Sequence, residues 1–327
     1  MMKTLYGAIA AILAGAMAVA GTAQAQDAAY PTRSVRIVVP FPPGGSNDVI
    51  ARLMAQKLTD RTGQTFVVDN RGGAGGNVGA EAVARAEPDG YTLLLTAPPP
   101  LTVNAALYPK LQFDPAKDFA PVALIATVPI VLAVHPSTRI TSVKDLIAAA
   151  KAKPGTISFG SSGNGSTNHL TGELFKRRAG IEILHVPYKG AAPAMNDLIA
   201  GHIPMMFDNI PAILPQVRGK TIVPVAVAGA TRAKALPDVP TVAESGLPGF
   251  DASAWFGLVA PAKTPAPVLA KLEQDVTAVL KAPDVQKRLE ELGAEPGTLA
   301  GEGFKRFLNA ETATWTKVIK ESGAKVD

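Results

Sequence analysis

Two glycine-rich turns, each followed by hydroxyl or amide side chains, are the parts of this sequence best suited to binding chemistry. They are Gly44-Gly45-Ser46-Asn47 and Gly163-Asn164-Gly165-Ser166-Thr167, with a weaker copy at Gly75-Gly76-Asn77. Helix starts favour Ser, Thr and Asn, and their free N–H groups and positive dipole end attract anions. Ser46 or Asn47 can cap one helix and Ser166 or Thr167 another, so capping alone explains each turn taken singly. Because glycine allows close backbone approach, the recurrence predicts a carboxylate held between two such turns.

An aspartate beside the first turn complicates this interpretation. Asp48 would place a negative charge next to a bound anion and repel it. We therefore expect the Asp48 carboxylate to complement the positive end of the following helix or to face away from the ligand.

A second glycine-rich stretch, from Gly72 to Gly79, invites comparison with dinucleotide-binding loops. Val78 stands where the third glycine of the G-x-G-x-x-G spacing should be, and no acidic residue follows on a clear second strand. A tight turn with close helix packing is the better interpretation.

Serine catalysis is the alternative function that the sequence leaves open. Ser162 or Ser166 could pair with His169 in a periplasmic hydrolase of small esters. However, Asn164 replaces the last glycine of a G-x-S-x-G elbow, and no acid partner is evident. The four histidines never approach metal-ligand spacing, so we expect neither a metal site nor a cofactor, and a packing or surface role for His169.

Composition excludes several other classes. The 327 residues include 32 Lys and Arg, 27 Asp and Glu, and no Cys, which excludes a disulfide scaffold, a thiolate metal site and a Cys nucleophile. The one tight basic cluster, Lys176-Arg177-Arg178, precedes a predicted helix end and has no interleaved aromatics, so nucleic-acid binding is not expected. Two Trp and few other aromatics argue against a sugar receptor.

The first 25 residues have the pattern of an export signal. Lys3 precedes an apolar stretch from Leu5 to Ala20, and Ala23-Gln24-Ala25 fits a signal-peptidase site. An uncleaved membrane anchor is the alternative, but the many Ala and Gly residues weaken such a span. We expect cleavage after Ala25 and a soluble periplasmic protein that begins at Gln26, because later apolar runs are interrupted by Pro, Gly or charge.

Strands and helices alternate through the body of the chain, which predicts an α/β fold. The rhythm of strand, polar loop and helix is typical of a parallel sheet with helices on both faces, and it restarts after about residue 124. The predicted strands cover residues 35–40, 66–68, 91–96, 156–159, 183–186, 205–207 and 223–228. From Pro267 onward helices dominate, and one is expected to end before Gly293.

Four stretches in order resemble the tripartite tricarboxylate transporter receptors, also called Bug-type receptors. They are PFPPGGSNDVIARLMAQKL, VVDNRGGAGGNVGAEAVARAEPDGYTLLL, SFGSSGNGSTNHLTGELF and HVPYKGAAPAMNDLIAGHIPMMFDN. The resemblance implies the two-lobed fold of class II periplasmic binding proteins, with crossing strands and a ligand cleft between the lobes. It also implies a monomer without catalysis that captures a small organic carboxylate for a two-component membrane permease.

The resemblance carries the ligand-binding residues over motif by motif. The resulting site is Phe41, Gly44, Gly45, Ser46, Asn47, Thr96 and Ala97 from the first lobe and Ser162, Gly163, Gly165, Ser166, Thr167 and Asp208 from the second. Asp208 could accept a hydrogen bond from a ligand amine or hydroxyl, or brace the hinge. Tyr188 could contribute a hydroxyl or pack at a strand end. Pro98-Pro99-Pro100-Leu101 departs from the polar residues expected there, which makes an apolar or aromatic acid plausible beside di- and tricarboxylates and amino acids.

Three segments follow from these interpretations. Residues 1–25 form the signal peptide, residues 26–124 plus 256–327 form lobe 1, and residues 125–255 form lobe 2. Trp255 and Phe256 lie near the second crossing between the lobes and are expected to pack there.

Overall fold

Residues 30–322 are described by the computed structural model, apart from the side chains at positions 318, 321 and 322. The predicted signal peptide and its cleavage site after Ala25 lie outside the described residues. From Arg33 onward the described residues belong to one compact unit. No helix in this described part combines the length and hydropathy that a bilayer crossing needs.

Strands and helices alternate as the sequence pattern predicts. In the described part of the chain the strands are β1 (Val35–Val39), β2 (Phe66–Asn70), β3 (Thr92–Thr96), β4 (Phe119–Val134), β5 (Ser158–Ser161), β6 (Leu184–Pro187), β7 (Met205–Asn209), β8 (Val223–Val227), β9 (Ser253–Pro261) and β10 (Glu295–Pro296). The α-helices are α1 (Ser46–Thr62), α2 (Asn77–Ala84), α3 (Asn104–Leu107), α4 (Val143–Ala152), α5 (Thr167–Ala179), α6 (Ala191–Ile199), α7 (Ile210–Arg218), α8 (Ala266–Lys281), α9 (Pro283–Glu291) and α10 (Gly301–Ser322).

The sheet is mixed, which corrects the expectation of a parallel sheet. Its strand order is β2-β1-β3-β9-β4-β7-β5-β6, and β8 and β10 also pair with β4. Pairing is parallel between β1 and its neighbours and between β5 and its neighbours, but antiparallel along β3-β9-β4-β7. The α/β fold is confirmed, and the expected parallel pairing holds on the two flanks of the sheet. In the centre, β4 and β9 run in opposite directions, so the pairing there cannot be parallel.

Strand β4 joins the two lobes. Its residues from Phe119 to Pro129 pair with β9, and those from Ile130 to Val134 pair with β7 and β8. The strand is long and almost wholly buried because its sixteen residues form an apolar run without polar alternation. The predicted lobe boundaries fall inside β4 and β9, and the division into 26–124 plus 256–327 and 125–255 stays a prediction.

The crossing region is packed by aromatic side chains. Trp255 is 2% exposed and Phe256 is fully buried, which confirms the packing role expected for them. The Trp255 ring meets Phe304 edge-on at 6.1 Å, and its Nε1 donates to Glu311 Oε2 at 2.8 Å. These contacts tie β9 to α10.

Candidate ligand-binding site

Four helices begin around one small cavity of about 30 Å³. Helices α1, α5, α6 and α7 start there, each after the C-terminal end of a strand. The first four N–H groups of a helix have no partner inside the helix. The arrangement therefore directs several backbone donors and positive dipole ends at one point, which favours an anion.

Nine of the thirteen predicted site residues line this cavity. They are Phe41, Gly45, Ser46, Asn47, Ala97, Ser162, Ser166, Thr167 and Asp208. Residues from both predicted lobes thus meet at one place, and the two turns at Ser46 and Ser166 are 120 positions apart in the sequence.

The other four predicted residues lie outside the cavity lining, and their polar groups are bonded elsewhere. The N–H of Gly44 donates to Asp48 Oδ2 at 3.1 Å, and that of Gly165 donates to His169 Nδ1 at 3.2 Å. Gly163 lines a larger neighbouring opening, and its N–H donates to Ser161 Oγ. The Thr96 hydroxyl donates to the carbonyl of Ala97 at 3.1 Å.

Sequence analysis missed six residues of the lining. They are Pro42, Pro99, Asn168, Gly190, Ala191 and Asn209. The turn at Gly190 before α6 carries the same signal as the predicted turns, namely a glycine directly before a helix. Asn168 and Asn209 are adjacent to predicted residues, but only the tertiary structure brings the Asn168 side chain to Asp208, 40 positions away.

Five buried polar atoms around the cavity have no hydrogen-bond partner. They are Ser46 Oγ, Asn47 Oδ1, Thr167 Oγ1, Asp208 Oδ2 and Asn209 Oδ1. Buried polar groups in folded proteins are nearly always bonded, so this cluster has hydrogen-bonding capacity left for a polar ligand or for water. Asp208 is the only charged residue that the structure describes in the lining.

The α1 helix start is stabilised by a carboxylate. Gly45 is the N-cap and no side chain caps there, so the expectation that Ser46 or Asn47 caps α1 was wrong. Asp48 accepts from the Gly44 N–H and pairs with Arg52 at 2.9 Å. Burial alone would raise the pKa of Asp48, but the bonds from Arg52 and Gly44 hold it below the usual value. The expectation that Asp48 complements the helix start is confirmed.

The α5 helix start is stabilised by neutral groups. Ser166 caps α5 by accepting from the His169 N–H at 3.2 Å, as predicted. The His169 ring stacks on His185 with centroids 3.9 Å apart. Burial lowers the pKa of His169 to about 4 and that of His185 to about 3, so both rings are neutral at pH 7. They brace the loop because His169 accepts from Gly165 and His185 Nε2 contacts Ser161 Oγ at 2.7 Å.

This geometry gives no support to the serine hydrolase alternative. His169 Nδ1 is engaged by a backbone N–H, and the Ser166 hydroxyl accepts from the backbone of His169 rather than contacting its ring. Two other serines do contact an imidazole: Ser161 is fully buried, and Ser137, which contacts His135, lies outside the lining of both the small cavity and the larger opening.

Asp208 and Tyr188 differ in their relation to the cavity. Asp208 is 1% exposed, and its Oδ1 accepts from Asn168 Nδ2 and from the Asn209 N–H, both at 2.8 Å. Burial raises the pKa of Asp208 to about 6. The Tyr188 hydroxyl instead donates to Asp197 Oδ2 at 2.6 Å, and the residue lines only the larger opening.

The larger opening, of about 750 Å³, adjoins the small cavity and shares Phe41, Ser162 and Ser166 with it. Its first-lobe wall includes the glycine loop 72–76, whose Gly76 has φ +93° and lies against Pro100. The interpretation of this loop as a tight turn with close packing is confirmed. The opening offers space for the part of a ligand that extends beyond an anionic group.

A separate cavity of about 160 Å³ lies at the crossing strands. Asp251, Glu290 and Glu295 line it together with Arg232 and Lys234. An anion there would meet three carboxylates, so this cavity is unsuited to the predicted ligand.

Comparison with known proteins agrees with the resemblance drawn from the motifs. The profile of a family described as tripartite tricarboxylate transporter family receptor matches residues 50–324. The protein BugT of Bordetella pertussis is 39% identical over 298 residues, which cover 91% of each chain.

Two solved structures are also similar over most of the chain. R. palustris Rpa4515, solved with adipate, is 43% identical with a TM-score of 0.88 and covers 91% of this chain and 100% of its own. MatC from Rhodopseudomonas palustris, solved with bound malate, is 34% identical with a TM-score of 0.84 and covers 89% of this chain and 100% of its own. These similarities show a two-lobed α/β fold of the periplasmic binding protein type.

Proposed function

We propose that this chain, which belongs to the tripartite tricarboxylate transporter receptor family, captures a small organic carboxylate in the periplasm. It delivers that ligand to a two-component membrane permease and carries out no catalysis. Relatives solved with adipate and with malate support a carboxylate as the ligand. The single observation that carries the proposal is the set of unpartnered polar atoms where four helices begin.

The ligand carboxylate binds between the starts of α1 and α5. The N–H groups of Gly44 and Gly165 are already bonded, so the backbone donors left for a ligand are those of the first helical residues, Ser46 and Thr167. Their hydroxyls are buried and unpartnered. Together these groups supply donors from both lobes to the two oxygens of one carboxylate.

Ligand binding favours a closed arrangement of the lobes. A Cβ placed on Gly45 would lie 3.7 Å from the Cβ of Ala191, so the two lobes meet beside the cavity. A ligand shifts an open-to-closed equilibrium only through its greater affinity for one state. A carboxylate that touches Ser46 and Thr167 together has that greater affinity, because neither lobe offers both.

The rest of the ligand extends into the larger opening. Pro99 forms part of the small cavity and Phe41 lines both spaces, so apolar side chains stand where the ligand leaves the carboxylate site. Mono-, di- and tricarboxylates, amino acids and aromatic acids therefore all belong in the screen.

Export and processing complete the proposal. The protein is secreted as a monomer into the periplasm and cleaved after Ala25, as its first residues predict. The intact mass of protein recovered from the periplasm should match a chain that begins at Gln26. Full-length protein in the membrane fraction would contradict export with cleavage.

A thermal-shift screen tests carboxylate capture. A ligand that binds only the native state adds about 2.7 kcal/mol at one hundred times its Kd. At least one acid should raise the melting temperature, while its uncharged amide analogue should not. A response confined to nucleotides, metals or neutral sugars would overturn the proposed function.

A further inference from the structure

We infer that Leu170 latches the two lobes together outside the ligand site, and that this contact sets the affinity for every ligand without selecting among them. The statement about affinity rests on the proposed function. Leu170 lies on α5 in predicted lobe 2 and is 5% exposed. It packs in an apolar cluster whose other buried members come from predicted lobe 1, namely Val103, Leu107, Trp315 and Ile319. These five residues are called the latch below.

The lobe 1 side of the latch is held at the crossing strands. Trp315 and Ile319 lie on α10, and the Trp315 Nε1 donates to Glu311 Oε2 at 3.3 Å. The same oxygen accepts from Nε1 of Trp255, on the crossing strand β9, at 2.8 Å. The position of Trp315 is therefore fixed relative to the crossing, and Leu170 is the side chain that must leave when the lobes separate.

The lobe 2 side of the latch is coupled to the ligand site through one turn of α5. Leu170 follows Thr167 by three residues, so the two side chains are neighbours on the helix surface. In the loop before α5, a Cβ on Gly165 would lie 3.0 Å from Leu107 Cδ2. A movement of the α5 start toward lobe 1 therefore brings Thr167 to the ligand and Leu170 into the latch together.

The latch stabilises the closed arrangement with or without a ligand. Removal of apolar side chains from water favours the arrangement that buries them. No member of the latch is among the described residues that line the small cavity or the larger opening. The observed affinity for a ligand is proportional to the fraction of the protein in the binding-competent state. A contact that changes only the closed fraction therefore changes the affinity for all ligands by one factor.

The variant Leu170→Ala tests the latch by small-angle X-ray scattering and calorimetry. Without ligand, its radius of gyration should exceed that of wild type, because its closed-to-open ratio falls about tenfold or more. A saturating concentration of an acid that binds should restore the wild-type radius. The affinity for each such acid should fall by the factor by which the closed fraction falls.

A matched control and a second variant accompany this test. Leu146 is fully buried in the core of lobe 2, so Leu146→Ala should lower the free energy of unfolding but leave the radius and the affinities unchanged. Ile319→Ala removes a lobe 1 member of the latch and should reproduce the effects of Leu170→Ala, including where that variant fails to fold. Combined, the two latch changes should lower the closed-to-open ratio by less than the product of their single effects, because both interrupt one contact.

The outcomes separate this inference from the proposed function. Equal radii for ligand-free wild type and folded Leu170→Ala protein would overturn the latch. Affinity losses that differ from one acid to the next would place Leu170 in the ligand site and would also overturn it. If no carboxylate binds to wild type, the proposed function fails, and the comparison of ligand-free radii still decides whether the latch exists.

Discussion

The starts of α1 and α5 stand on either side of the same cavity, yet they are stabilised by different chemistry. At α1 the ionised Asp48, paired with Arg52, accepts from the backbone. At α5 a serine hydroxyl caps the helix, and two neutral histidines brace the preceding loop. In both places the first helical residue, Ser46 or Thr167, is left with an unpartnered hydroxyl. At both helix starts, therefore, one residue stabilises the helix and a different residue is left to bind the ligand.

Gly45→Val should have the largest effect, because it fills the α1 side of the cavity. Gly45 has φ −87°, which valine adopts without strain, but its added methyl groups would crowd Ala191 and the ligand. We expect a loss of affinity of at least about a hundredfold, or 2.7 kcal/mol, measured by calorimetry on folded protein. Gly303→Val, in a helix with no atom closer than 3.9 Å to the new Cβ, is the control.

The corresponding change on the α5 side is a weaker test. Gly165 has φ +75°, and a Cβ there would lie 3.0 Å from Leu107 Cδ2, so Gly165→Val strains the fold itself. Undiminished affinity in folded Gly45→Val protein would show that the ligand does not bind between the two helix starts.

Acidification should first reduce the stability contributed by the residues around the start of α5. The pKa of His169 is lowered to about 4, so its neutral form contributes stability above pH 6.5 that is lost as pH falls toward 4. The pKa of Asp208 is raised to about 6, so its contribution has the opposite sign, present below pH 3.8 and lost as pH rises through 6. The lowered pKa of Asp48 makes the α1 side sensitive only below about pH 3.8.

Asp208→Asn removes the opposing contribution and should steepen the acid loss. At roughly 1.4 kcal/mol per unit of pKa, the free energy of unfolding between pH 7 and pH 4 should fall by about 2 kcal/mol more than in wild type. Urea unfolding at several pH values measures this difference. Parallel curves for the two proteins would contradict a raised pKa at Asp208.

Removal of the Ser166 hydroxyl should lower stability, whereas removal of the neighbouring Thr167 hydroxyl should lower affinity. Ser166→Ala removes the cap and should cost about 0.5–2 kcal/mol of stability. Thr167→Val removes a hydroxyl that has no partner, so the ligand-free protein should not lose stability while affinity falls about five- to tenfold. Thermal melts and calorimetry of the two variants give both quantities. Equal destabilisation by the two changes would show that capping and binding are not divided as described.

Arg52→Gln should have the smallest effect. The Arg52 side chain is 57% exposed, so its pair with Asp48 contributes little to stability. Loss of the positive charge leaves Asp48 unpaired near the bound anion, which should weaken binding about two- to fivefold. The effect should shrink in high salt. A hundredfold loss would mean that Arg52 contacts the ligand directly.

Helix caps and helix ends, which depend on residues within one turn, were predictable from the sequence. The Ser166 cap and the end of α5 at Gly180 follow from residue types and spacing that act within one helical turn. The recurrence of glycine-rich turns at Gly45 and Ser166 predicted a shared site, and the resemblance placed the two turns on opposite sides of a cleft.

Contacts that depend on distant residues were not predictable. The antiparallel pairing of β4 with β9 joins segments more than 100 residues apart and corrects the parallel sheet. The bond from the Gly165 N–H to His169 depends on how the His169 ring is held against His185. At α1, the Asp48 carboxylate and not the Ser46 hydroxyl accepts a backbone N–H at the helix start. This contact depends on the path of the backbone at Gly44.

A crystal structure with the best acid from the screen tests the central claim most directly. We expect one ligand carboxylate between α1 and α5, with its oxygens about 3 Å from the Ser46 and Thr167 hydroxyls. A carboxylate bound at the crossing strands beside Arg232, or held only in the larger opening near Lys189, would contradict it.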